Sequence, residues 1–373
     1  MGITRRKFVA QMGAGAAIIG GVPTLPTLPI LPTPPTVPIL PIDRSPNGLI
    51  PPWQPCVRVV GVGGAGTLVL DRMARIGHAG IDLITVDTDA QSLRFRQAGA
   101  KLHIGEAVPR GLCGGGGRVE YGRGAAEESR ERLHAVLDGA DVVVVVAGMG
   151  GGTGTGAAPV VAEVARRLGA LTLGVVSLPF EFEGRRRGRQ AATGVRELAD
   201  RLDTTVVVPS YALVPPADSD ILFSQALERV DELMLQAAQS FTVPLVQPGL
   251  INVGVSDYRE LFNQSGPALV ATGVSDGEHR ATGAAQVLLQ HPVLDGVDLR
   301  RASAALVTIA TAMGDDNLTI CEIDEICTVL HESLGEATHV LTNVQDPTLG
   351  RGCRVTLTAL GLDKVLGQDP ELC

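Results

Sequence analysis

Past residue 55 the chain alternates short apolar runs with amphipathic stretches. Val57–Val60 and Ile81–Val86 read as short buried strands, and Asp141–Ala147, with five valines in a row, reads as a parallel strand covered on both faces. Thr67–Arg75 carries apolar residues at helical spacing, and a second helix is expected from about Ala157 to Leu168. Further on, Ser303–Ala310, Thr338–Val344 and Cys353–Leu360 alternate or run apolar as strands do. Ile320–Leu334 places Ile323, Ile326, Cys327 and Leu330 on one side of a helix, a core-packing pattern with no catalytic signal.

The first fifty-five residues follow different rules. Thr4-Arg5-Arg6-Lys7-Phe8 precedes a short uncharged stretch ending at Val22, as in a twin-arginine export signal, although its glycines make a poor helix. Residues 23–55 hold 12 of the chain's 24 prolines, the composition of an extended polyproline spacer. Three readings stay open for this segment: an export signal, a membrane tether on a stiff stalk, or a translation start set upstream of the true one.

Composition narrows the function classes. With 373 residues there is length for about two domains. A net charge of −9 and 3% aromatic residues argue against a nucleic-acid surface. The six cysteines form no CxxC pair and no zinc-spaced cluster, so buried or incidental thiols are expected. Nothing resembles an uninterrupted membrane-spanning run.

Two glycine loops carry the chemistry. Gly61-Val62-Gly63-Gly64-Ala65-Gly66 lies between a strand and a helix, where glycine lets an anion approach the backbone and the helix start offers free N–H groups. With Asp87 some twenty residues on, this loop alone also fits a dinucleotide site. The second loop, Gly148-Met149-Gly150-Gly151-Gly152-Thr153-Gly154-Thr155-Gly156, favours a polyphosphate, with Thr153 and Thr155 as hydroxyl donors. No Gly-Lys-Ser/Thr occurs, which excludes a Walker-type loop.

Gly150–Gly156 resembles the signature of the tubulin/FtsZ superfamily of GTPases, and the likeness extends over roughly residues 56–364. It includes Thr88-Asp89-Ala90-Gln91, Pro179–Gly184 and Pro248–Val253. The resemblance implies an α/β fold: a Rossmann-like parallel-sheet GTPase domain, a long central helix and a smaller α+β C-terminal domain. Mapped here, these are 56–215, 216–250 and 251–364, preceded by segments 1–22 and 23–55 and followed by a short tail, 365–373. It also implies GTP or GDP with Mg2+ as ligands. Gly63, Gly64, Gly66, Gly151, Gly152, Thr153, Gly154, Thr155 and Gly156 would lie at the phosphates, Glu183 and Arg187 on the ribose and phosphate side, and Asp231 at guanine. Taken without the resemblance, the arginine run 185–189 reads as a solvated face, and Asp231 as an exposed helix carboxylate.

In that family hydrolysis is shared: a loop after the central helix reaches the nucleotide of the next subunit in a filament. Here the loop reads Asn252-Val253-Gly254-Val255-Ser256-Asp257. Asn252 and Asp257 are kept, but Gly254 replaces the first acid, so slow turnover and long-lived filaments are expected. Other departures are Thr67 and Asp87 where Asn is usual, Ser210 for a guanine-holding Asn, and Leu227 for a stacking aromatic. The run Cys113–Gly117 ends in Arg118, which could offset phosphate charge. Each weakens base recognition while leaving the fold plausible.

The expected function is a GTP-dependent, self-polymerising protein in cell division or a related cytoskeletal role. The alternative from another class is a structural or regulatory subunit without turnover, alone or with an active relative. An NAD-dependent oxidoreductase stands a distant third. Expected partners are other copies of the chain, an active relative, and a membrane through the N-terminal segment, with no nucleic acid. GTP use requires the cytoplasmic pool, so the cytoplasm or septum is expected, and export is the lesser reading. The chain stops soon after its last strand, so adaptor binding through a C-terminal tail is not expected.

Overall fold

The computed structural model describes residues 54–362, apart from 78, 107–116, 215–219, 248, 263–265, 313–316 and 336. The expectations for residues 1–53, for Cys113 and the glycines 114–116, for Pro248 and for the tail lie outside the described residues.

The N-terminal half alternates strand and helix. It runs β1 (Val57–Val62), α1 (Gly63–Ile76), β2 (Ile81–Asp87), α2 (Ala90–Arg94), β3 (Ala100–His103), α3 (Val119–Glu128), α4 (Arg130–Leu137) and β4 (Val142–Gly148). Next come α5 (Gly152–Arg167), β5 (Leu171–Ser177), α6 (Arg185–Ala199), β6 (Thr204–Val208) and α7 (Ser210–Leu213). A long helix, α8 (Phe223–Val246), leads to α9 (Val255–Phe262), β7 (Pro267–Ser275) and α10 (Arg280–Leu289). The chain closes with β8 (Ala304–Thr311), α11 (Ile320–Leu334), β9 (Thr338–Gln345) and β10 (Cys353–Leu360).

The strands form one sheet in the order β3-β2-β1-β4-β5-β6-β7-β10-β8-β9. β1 pairs in parallel with both β2 and β4, so successive strands leave it in opposite directions. That reversal between β1 and β4 opens a crevice at the carboxyl ends of the strands. The two halves join through a short parallel contact, Thr205 with Pro267 and Val206 with Ala268. Beyond it, β10 lies antiparallel to β7 and β8.

Alternation along β4 explains the layers. Val142, Val144 and Val146 face a core shared with α1 and α8, whereas Val143, Val145 and Ala147 face the core under α5, α4 and α6. The α1 and α8 core continues into the C-terminal half, where Leu306, Ile326, Val355 and Leu357 belong to it.

Three boundaries differ from the sequence reading. The first two helices begin at Gly63 and Gly152, not at Thr67 and Ala157, because glycine has no side chain to register a helical period. The central helix runs Phe223–Val246, inside the expected 216–250. Asp257 stands in the first turn of α9, not in an open loop.

Candidate functional site

The starts of α1 and α5 lie side by side at the crevice. A Cβ at Gly63, whose φ is +71°, would come 2.9 Å from the Gly154 nitrogen and 3.3 Å from Thr153 Cβ. Neither helix has a side-chain cap, and neither carries an acidic residue in its first turn. Backbone N–H groups at both starts are therefore free to meet an anion, reinforced by two helix dipoles. Gly64 is exposed, and a Cβ there would meet nothing within 4 Å.

The other glycines close the packing beneath this surface. A Cβ on Gly66 would overlap the Val146 carbonyl, and one on Gly154 the Gly148 carbonyl. One on Gly156 would overlap the Val119 carbonyl and come 2.6 Å from the Arg123 nitrogen. Gly151, the N-cap of α5, is half-buried, while Gly152 is buried against Gly117 and Arg118. Both threonines have internal partners. Thr153 shares a 2.7 Å hydrogen bond with the Thr88 hydroxyl, and Thr155 Oγ1 accepts from Gly150 N–H at 2.7 Å. Thr155 thereby shapes the turn while its own proton stays available for donation.

Acidic and basic groups surround the crevice. Asp87 ends β2 and is buried; burial, the largest influence, holds its carboxyl above the ordinary aspartate range despite N–H contacts from Asp89 and Thr88. Glu183 accepts from the Phe180 N–H at 2.8 Å and pairs with Arg187 at 2.9 Å, so these two expected site residues stand together. Asp231 pairs with Arg72 of α1 at 3.6 Å. Burial raises the Asp231 carboxyl; Arg72 pulls it back, and Glu228 and Glu232 push it further up.

The departures noted in the sequence have local consequences. Ser210 donates its hydroxyl to the Leu178 carbonyl. Thr67 turns its hydroxyl onto Gly64 O at 3.0 Å. Leu227 is partly exposed, and Phe223, one turn earlier, meets Phe182 edge-to-face at 5.7 Å.

Asn252 and Asp257 lie beyond the far end of α8. From Asp231, which touches α1, the helix runs a further 15 residues, about 22 Å, so these two side chains are remote from the glycine helices of their own chain. Asn252 accepts from Gly249 N–H at 2.8 Å, and Asp257 from Gly254 N–H at 2.8 Å. Tyr258 is wholly buried and donates to the Ser240 carbonyl at 3.1 Å, fastening α9 to α8; burial holds its hydroxyl far above the ordinary tyrosine range. Asn343 of β9 accepts from Leu250 N–H at 2.7 Å and Ile251 N–H at 2.9 Å. Neither Asn343 nor Arg72 was singled out in the sequence, since their partners lie far away along the chain. Among the described residues no group of three His, Cys, Asp or Glu side chains could hold a metal ion by itself.

Known proteins share this architecture. Residues 56–215 match the Tubulin/FtsZ family GTPase domain, and residues 266–363 match the FtsZ family C-terminal domain. A structure titled FtsZ dimer, empty, from M. jannaschii is 35% identical, with a TM-score of 0.78 over 83% of this chain and 89% of its own. The chain belongs to the FtsZ family. Cell division protein FtsZ of Caulobacter vibrioides is 39% identical over 311 residues, 83% of this chain and 60% of that protein. The chain thus spans about 60% of the length of that FtsZ. CetZ2 from Haloferax volcanii, in a GTPγS-bound protofilament, is 21% identical with a TM-score of 0.65 over 83% of this chain and 93% of its own, and shares the fold.

Proposed function

We propose that this FtsZ-family chain binds GTP across the crevice between β1 and β4, assembles head-to-tail and hydrolyses GTP slowly where subunits meet. The observation that carries the reading is the pair of uncapped glycine helix starts held side by side. Gly63, Gly64 and the α5 start from Gly151 to Thr155 receive the phosphates, with Gly66 and Gly156 permitting the close packing below. Glu183 and Arg187 take the ribose and phosphate side. Asp231 accepts from guanine N1–H and the 2-amino group, a pattern adenine cannot satisfy. Mg2+ accompanies the nucleotide, carried mainly by phosphate oxygens and water.

Remoteness of Asn252 and Asp257 from the same chain's crevice supports hydrolysis shared between neighbours. In that arrangement Asp257 orients and polarises the attacking water and Asn252 supports the loop, since phosphoryl transfer depends mainly on positioning and electrostatics. Gly254 leaves one carboxylate where the resemblance implies two, which favours slow turnover. The same residue supports a second reading, a filament subunit without useful hydrolysis, alone or with an active relative. The cellular role in either reading is division or a related cytoskeletal task in the cytoplasm, with residues 1–22 as a membrane contact.

The test is sedimentation of the full chain with GTP, with GDP and without nucleotide, alongside phosphate release. Assembly with GTP and slow release is the expected result. Assembly without release favours the second reading. Protein that neither retains guanine nucleotide nor assembles refutes both.

A further inference from the structure

The helix that carries Asp257 is braced from two sides. Tyr258, the next residue, is buried and donates to the Ser240 carbonyl of α8 at 3.1 Å. Arg259, the one after, is exposed and sends Nη2 across to the Gly169 carbonyl, donating at 2.8 Å. Gly169 lies in the turn between α5 and β5, 90 residues away in sequence. Successive side chains leave a helix about 100° apart, so the two bonds hold α9 from different directions.

The acceptor on α5 is itself fixed. Gly169 takes a φ of +84°, its N–H donates to Arg166 O at 3.0 Å, and the Ala170 N–H donates to Ala165 O at 3.3 Å. Ala170 is buried, and Leu171 begins β5. The carbonyl thus sits at the C-terminal end of a 16-residue helix, where the dipole favours a cation such as the Arg259 guanidinium.

This tie joins two parts of the proposed chemistry. α5 starts at Gly152, in the phosphate cradle, and its far end lies about 24 Å away. Edge-to-face contacts of Phe262 with Phe241 and Tyr258 pin the last turn of α9 against α8. Asp257 stands in the first turn, where Arg259 adds a link to the GTP-binding half. The acid helix is therefore set against both long helices that run from the crevice.

We propose that Arg259 is a positioning residue for hydrolysis: by tying α9 to the end of α5, it fixes the direction in which one copy presents Asp257 to the nucleotide of the next. The proposal rests on the shared-hydrolysis reading above and gives Arg259 no contact with the nucleotide. One exposed hydrogen bond adds little to overall stability, whereas displacing a reacting group by about 1 Å costs on the order of 100-fold in rate. Loss of the tie should accordingly be read in turnover.

The experiment compares the full-length wild type with Arg259→Ala, Arg259→Lys and Asp257→Asn. Hydrogen exchange of the α9 amides is followed in unassembled protein, and phosphate release per sedimented subunit is measured across GTP concentrations. Arg259→Ala is expected to exchange its α9 amides at least fivefold faster and to lower kcat at least fivefold. The GTP concentration for half-maximal rate and the protein concentration for assembly should stay within twofold of the wild type. Arg259→Lys, which can still reach a carbonyl, should recover part of both losses. Unchanged turnover in Arg259→Ala would overturn the proposal. So would a lower kcat with unchanged exchange, which would make Arg259 act directly across the junction, or a raised assembly concentration, which would make it an interface contact. Wild-type turnover in Asp257→Asn, or none in the wild type, would instead overturn shared hydrolysis itself.

Discussion

Gly254→Asp is the most direct perturbation of the proposed chemistry. A Cβ at this exposed position meets only Asp257 Oδ2 and Ser256 Oγ, both at 3.5 Å, which is ordinary van der Waals contact. Gly254 is not among the glycines with positive φ, so an aspartate adopts the backbone without strain. The Gly254 N–H still donates to Asp257, leaving the other Asp257 oxygen free. A new carboxylate about 5 Å from Asp257 costs about 1 kcal/mol in a solvated setting, offset by a loss of unfolded-chain freedom worth about 0.4–1 kcal/mol. Stability should therefore change by less than about 1 kcal/mol. A carboxylate restored to the transition state, on the scale of a missing oxyanion donor, contributes about 2–4 kcal/mol, or about 30- to 1,000-fold in rate. The assay is phosphate release per sedimented subunit at saturating GTP, with Gly254→Asn as the uncharged control of similar size. An increase of at least several-fold in Gly254→Asp alone is expected. Assembled Gly254→Asp with wild-type turnover would refute the reasoning that the absent acid limits hydrolysis.

Two further substitutions test the surroundings. Because Asp87 has a raised carboxyl in the folded state, its ionised form opposes folding at neutral pH. Asp87→Asn should raise the melting temperature at pH 7, with the gain shrinking as pH falls through the aspartate range, and should tighten GTP binding by removing a nearby negative charge; a constant or inverted difference across pH would contradict this. Asn343→Ala leaves the Leu250 and Ile251 N–H groups without their acceptor and should cost about 2–4 kcal/mol in denaturant unfolding. Asn343→Asp, which keeps an acceptor, should lie much closer to the wild type, and both should retain GTP while Asn343→Ala assembles poorly.

Much of this fold can be read from side-chain pattern. The valines of β4 and the apolar period of α11 mark their elements because each residue type repeats at the spacing of its structure. The first turns of α1 and α5 escape that reading, since their glycines carry no pattern and only tight packing reveals them. The site shows the same division. Glu183 and Arg187 enter through the family resemblance alone, since an arginine run on its own reads as a solvated face; their ion pair shows only in the structure. Arg72 with Asp231, and Asn343 with the backbone of Leu250, join distant parts of the chain, so no local spacing signals them. Helix α9 is short and follows a glycine, which lets it pass for loop.

Helix α8 has a metric consequence for the filament proposed above. From Asp231 to its last residue, Val246, it forms a strut of about 22 Å, with Asn252 and Asp257 beyond that end. When one copy's acids reach the next copy's triphosphate, the axial step between copies exceeds roughly the 22 Å of helix from Asp231 to Val246. The helix acts as a ruler, and inserting one turn of four residues would lengthen the repeat by about 6 Å.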